Sequence, residues 1–112
     1  MSKSSNIPAI PAPPTWLAGS LRDRWEELAP VFWRMGTLSD LEAGILARFI
    51  VAENNYLQAS NLLQQAMARG DSEDANRWLS AQDKLIRQID SLGQTLGLTA
   101  EKRKAMGWTL PT

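Results

Sequence analysis

Lys102-Arg103-Lys104 is the densest run of cations in the chain. Neighbouring lysines and an arginine are phosphate-binding chemistry, point charges beside a bidentate fork. On a helix three consecutive cations fan around the axis, so only a subset can face one duplex. The competing role is a solvated helix end whose cations complement the dipole. Arg22, Arg24 and Arg34 form a second, looser set near the start, and Arg77, Lys84 and Arg87 a third. In that third set Asp83 and Asp90 interleave and Asp83 stands four residues before Arg87, which favours a salt-bridged surface over a nucleic-acid track. Lys84 and Arg87 are the contact candidates there. Glu26-Glu27 and Glu73-Asp74 are adjacent carboxylates, but neighbouring helix positions point about 100° apart and neither pair has an apolar surrounding, so acid–base and Mg²⁺ roles are not expected. With no His and no Cys, imidazole and thiol catalysis, disulfides and the usual zinc sites are excluded. No catalytic residue, metal or cofactor is expected. Twelve basic and twelve acidic residues cancel, so any contact with nucleic acid has to come from a local patch or from many copies of it.

The elements that position these groups are helical. The 112 residues, 44% hydrophobic and 21% charged, suit one small soluble domain with a modest core. Residues 1–14 carry Ser2, Ser4, Ser5 and prolines at 8, 11, 13 and 14 and read as a flexible arm. That start has one Lys and no apolar signal-type core, and no later stretch approaches the ~20 apolar residues that span a bilayer. A secreted or membrane-embedded product is not expected. Trp16 and Leu17 mark the beginning of order, and Ser20 is a cap for a helix bearing Leu21, Trp25, Leu28 and Phe32. Pro30 predicts a kink there, or a restart before Met35.

A capping-box form, Ser39-Asp40-Leu41-Glu42, predicts a long helix from Ser39 or Asp40 to about Arg69. Thirty such residues make a rod of roughly 45 Å. Leu41, Ile45, Phe49, Ala52, Tyr56, Leu63 and Met67 fall on one strip of it, and Leu46, Ile50 and Leu57 on a second. One strip faces the hairpin partner, which leaves the other for the first helix or another subunit. Gly70-Asp71 with Ser72 turns the chain, and Trp78, Gln82, Leu85, Ile89, Leu92 and Leu96 alternate by four and three along the returning helix as a short coiled-coil seam. Gly97 ends it, Thr99 caps a last short helix from Ala100 to about Met106, and 107–112 is a tail. The expected domain is thus 15–106. It is all-α, a kinked first helix on a long antiparallel hairpin with a short terminal helix. Leu46, Ile50, Leu57, Trp78, Leu85, Ile89, Leu92 and Leu96 form its core or an oligomer interface. Of the tryptophans, Trp33 lies off the first helix's strip and Trp108 near the end, which makes them candidates for contact with another chain.

In order, these pieces resemble the small subunit of bacteriophage terminase. The likeness begins with Pro14-Thr15-Trp16-Leu17, continues through Trp25, Leu28 and Pro30 to Met35-Gly36-Thr37-Leu38-Ser39-Asp40-Leu41, and takes in Ala52 to Ala59. It ends with Leu96-Gly97-Leu98-Thr99-Ala100-Glu101-Lys102-Arg103, which is similar to the family's closing turn and arginine-bearing short helix. Two features depart from the family pattern. Ala100 stands where Pro often follows the Thr, and the turn at Gly70 to Ser72 is short where members often carry a longer loop. The resemblance implies a ring-forming homo-oligomer without catalysis of its own, acting in the host cytoplasm. It would bind double-stranded phage DNA and deliver it to the terminase large subunit, which holds the ATPase and nuclease chemistry. A helical adaptor that binds only protein is the alternative from another class. A helix-turn-helix regulator spanning Leu21 to Ile50 is a third, disfavoured because Asp40 and Glu42 would meet phosphate at the end that enters a groove.

Overall fold

In the computed structural model, residues 10–97 are described, and within them the chain forms three helices and no strand. Helix α1 covers Ser20–Arg34, α2 Ala43–Ala68 and α3 Ser72–Thr95. Leu17, held in a turn by its N–H to Pro14 O at 3.0 Å, is the first buried side chain of the described residues. Gly19, at φ 61°, precedes α1, and Ser20 is its first helical residue. The expected Ser20 cap therefore does not form. α1 runs unbroken through Pro30, so no second helix starts before Met35. Trp25, Leu28, Ala29 and Phe32 are its buried face.

α1 ends in a Schellman turn. Gly36, at φ 77°, donates to Trp33 O, and Thr37 donates to Phe32 O, both at 3.0 Å, which satisfies two carbonyls of the last turn. The capping box at Ser39 is half realised. Glu42 reaches back to the Ser39 N–H at 3.0 Å and to its hydroxyl, while Leu41 N donates to Ser39 Oγ. Residues 40–42 are a turn rather than helix, and α2 begins at Ala43. The predicted start at Ser39 or Asp40 was three or four residues early because the box closes a turn that only then feeds the helix. Leu41 accordingly leaves the apolar strip and is 86% exposed.

The hairpin turn repeats the Schellman pattern, with Gly70 at φ 72° donating to Met67 O and Asp71 donating to Ala66 O. Asp71, not Ser72, is the N-cap of α3, its carboxylate accepting from Asp74 N at 3.0 Å. Arg69 adds a 2.8 Å ion pair to Asp74 across the turn. α2 and α3 pack along their length, and α1 packs on α2. Gln82 Nε2 donates to Ser60 Oγ at 2.6 Å, and the two residues lie equally far in sequence from Asp71, which sets the antiparallel register. Every seam position from Trp78 to Leu96 is buried or half-buried, Ile89 and Leu96 completely. The core sits at the open end of the hairpin, where α1 lies. There Leu17, Trp25 and Phe32 meet Leu46, Phe49, Ile50, Ile89 and Leu96, with Phe32 edge-on to Phe49 at 6.4 Å.

Candidate nucleic-acid and subunit interface

The strip of Leu46, Ile50 and Leu57 is shared between covered and open surface. Leu46 and Ile50 are buried in the core that α1 helps to form, whereas Leu57 remains exposed. On the same side of α2, three residues past Ile50 and four before Leu57, stands Glu53. Its side chain is only 5% exposed, and it receives the Arg24 guanidinium in a two-point fork, Nε to Oε1 at 2.8 Å and Nη2 to Oε2 at 2.9 Å. Glu27 sits 3.4 Å from Arg24 Nη1. The Glu53 hydrogen bond chiefly, opposed by burial, raises the Arg24 guanidinium above its ordinary value. Arg24 thereby fastens α1 to α2, and its fork is occupied by carboxylates. The charge at position 53 inside an otherwise apolar strip was the sequence signal for this clamp.

The remaining cations divide into paired and open. Arg22 pairs with Glu26 at 3.7 Å, Arg77 with Asp74 at 3.3 Å, and Arg87 with Asp83 at 3.3 Å. The expected Asp83–Arg87 bridge is therefore present. Among the described residues Arg34, Arg48 and Lys84 are exposed cations outside every ion pair. Arg48 was not among the sequence candidates, since it stands alone among apolar neighbours. Lys102, Arg103, Lys104 and Trp108, with the predicted last helix, lie outside the described residues.

The helix-turn-helix geometry is not present. Eight residues, 35–42, separate α1 from α2, against the three or four of that motif. α2 is also packed against both α1 and α3.

Apolar surface is exposed at the other end of the molecule. Met67 is 65% and Leu79 51% exposed, and they border a cleft of about 370 Å³ with Leu63, Ala75 and the turn at Gly70. Leu62 is exposed nearby in sequence. Met67 was placed on the first of two apolar strips along α2, but it stands one turn from Gly70, where the helices part to make the turn, and is left in water. Near the N-terminal side Trp16 is 60% exposed, while Trp33 is half-buried against the core. Trp25 is core and Trp78 belongs to the seam.

No helix among the described residues is long and apolar enough to cross a membrane. A family model described as phage terminase, small subunit, matches residues 22–110. No curated protein and no solved structure matches the chain. Because the match takes in nearly all of α1, the whole hairpin and the segment beyond it, the chain belongs to the phage terminase small subunit family.

Proposed function

We propose that this protein is the non-catalytic, DNA-selecting factor of a phage packaging machine. It assembles as a homo-oligomeric ring and regulates the large-subunit motor in the host cytoplasm. Family membership across residues 22–110 is the observation that carries the reading. Two features of the surface support it. The exposed apolar tip around Met67 and Leu79 is the sort of patch that marks a contact between chains. The open cations Arg34, Arg48 and Lys84, with the basic run at 102–104, are modest per copy but multiply around a ring, where even two phosphate contacts per subunit produce steep salt dependence. Trp33 and Trp108 remain the proposed anchors for the large subunit.

Native mass, measured with and without duplex DNA, tests this directly. A single closed oligomer whose DNA binding weakens steeply with added salt is the expected result; a monomer or dimer at all concentrations, or binding indifferent to salt, overturns it. Changing Lys102, Arg103 and Lys104 together to Ala is expected to spare assembly and flatten the salt slope. The adaptor reading has one observation in its favour. Arg22, Arg24, Arg77 and Arg87 are all engaged by carboxylates of the same chain, which lowers the positive field available to DNA. An oligomer that binds the large subunit but no DNA would select that reading.

A further inference from the structure

Fifteen consecutive residues of α2, Asn54 to Ala68, carry no charge. The exposed sides of the other helices do, with Arg22, Asp23 and Glu26 on α1 and Asp83, Lys84 and Arg87 on α3. Within the uncharged stretch Asn54, Gln58, Asn61 and Gln65 recur at spacings of four, three and four, which makes one stripe roughly 16 Å long at ~1.5 Å per residue. Gln58, Asn61 and Gln65 are exposed, and Leu62 beside them is exposed as well. At ~100° per residue the stripe lies about 100–160° around the helix from Ser60, whose hydroxyl accepts a hydrogen bond from Gln82 of α3. It therefore points away from the hairpin partner. Depletion of charge is what the core of a contact between chains shows. Amides suit such a place, because each both donates and accepts and none carries a charge to be desolvated.

The cleft of Leu63, Met67, Ala75 and Leu79 lies at the same end of the hairpin but on the far side. Met67 stands nine residues after Gln58, about 180° around α2. The ions at the cleft are already paired within the chain, Arg69 with Asp71 and Asp74, and Arg77 with Asp74. An apolar cleft with neutralised ions fits an uncharged, leucine-bearing surface. Patches on opposite sides of one chain are not both covered by a single two-fold contact, whereas front-to-back packing covers both in every copy and closes a ring when the rotation permits. We propose that the uncharged face of α2 in one copy packs on the Met67/Leu79 cleft of the next, with Leu62 entering the cleft and the amides bonding around it. The inference rests on the ring proposed above and assigns the two faces that meet in it.

Mixtures of full-length variants, read by native mass spectrometry, test the pairing. M67E/L79E destroys the cleft and keeps the α2 face; Q58E/L62E does the reverse. Each alone is expected to run at the mass of one chain with its helical circular dichroism intact, because all four positions are exposed. Mixed in equal amounts at the highest soluble concentration, with one of them isotopically labelled, they retain a single intact front-to-back contact. A dimer holding one copy of each, and nothing larger, is the expected product. A mixture that stays monomeric overturns the proposal, as does a dimer of either variant with itself. Gln58→Lys alone is expected to raise the protein concentration at half assembly about tenfold, the scale of a charge brought unpaired into a contact. No shift there overturns the pairing even if Q58E/L62E fails to fold. If the parent is an oligomer and Q58E/L62E keeps its mass, the pairing falls and the ring stands; a monomeric parent removes both.

Discussion

Removing Arg24 and removing Glu53 are expected to cost different amounts, although they break the same pair. Arg24→Ala leaves the nearly enclosed Glu53 carboxylate without its partner, a loss on the order of 3 kcal/mol. Glu53→Ala leaves a guanidinium whose side chain is 31% exposed and can turn toward water or Glu27, at a cost of about 1–2 kcal/mol. Urea denaturation of the two variants reads the difference, and the reverse order would show that Glu53 is solvated without Arg24. Arg24→Lys is expected to fall between, since an ammonium cannot reproduce the two-point fork. The pair also has a defined pH behaviour on the cation's side. A guanidinium raised above its unfolded value keeps its full contribution at every pH below that value and loses it only as pH climbs through the raised one. Stability supplied by Arg24 is therefore constant through neutral and mildly alkaline pH. A thermal midpoint that fell with Arg24 present, but not in Arg24→Ala, over that range would contradict the assignment.

At the scale of the elements, the hairpin seam carries the chain's cohesion. Ile89 is fully buried in the core beside Leu96 and Phe49, whereas Leu85 is a half-buried flank. Both Ile89→Asp and Leu85→Asp are expected to destabilise, but unequally. A buried unpaired carboxylate at position 89 costs several kcal/mol and abolishes the helical circular dichroism signal, while Leu85→Asp, able to reach water, costs roughly 1–2 kcal/mol and keeps it. Wild-type mass and helicity in Ile89→Asp would mean that the seam is wrongly placed. The 4-3 spacing from Trp78 to Leu96 made this seam readable from sequence, because a long antiparallel pair leaves its apolar stripe only one place to go. The beginning of α2 was less readable. A capping box satisfies Ser39 whether the next residues are helix or turn, and the choice falls to packing around Leu38 and Leu46, both buried.

For the whole molecule, the question is what covers the tip. α1, at 15 residues, is about 22 Å long at ~1.5 Å per residue, against roughly 39 Å for the 26 residues of α2. It covers the open end of the hairpin and leaves Met67 and Leu79 in water. Replacing both with Glu is expected to leave the helical circular dichroism signal unchanged and the intrinsic stability of one chain within about 0.5 kcal/mol of the parent, because exposed positions contribute little to the fold, while the thermal midpoint falls with the lost assembly. It is also expected to reduce the native mass to that of one chain. An unchanged oligomer would move the subunit contact elsewhere, with Trp16 and Leu57 the next exposed apolar groups.

The sequence by itself determined the all-helical class, the position of the hairpin turn, the α3 seam and the family resemblance. These depend on local signals, glycine at positive φ, an acidic cap and period-3.6 spacing, which act over a few residues and need no distant partner. Only the tertiary structure decided that Leu46 and Ile50 lie in the core with α1, that Arg24 is held by Glu53, and that Leu41 and Met67 face water. Each of those depends on a contact between residues far apart in the chain, or on where one helix stops covering another. A helical wheel shows which residues share a side, but it contains nothing about the length and placement of the helix that lies across it.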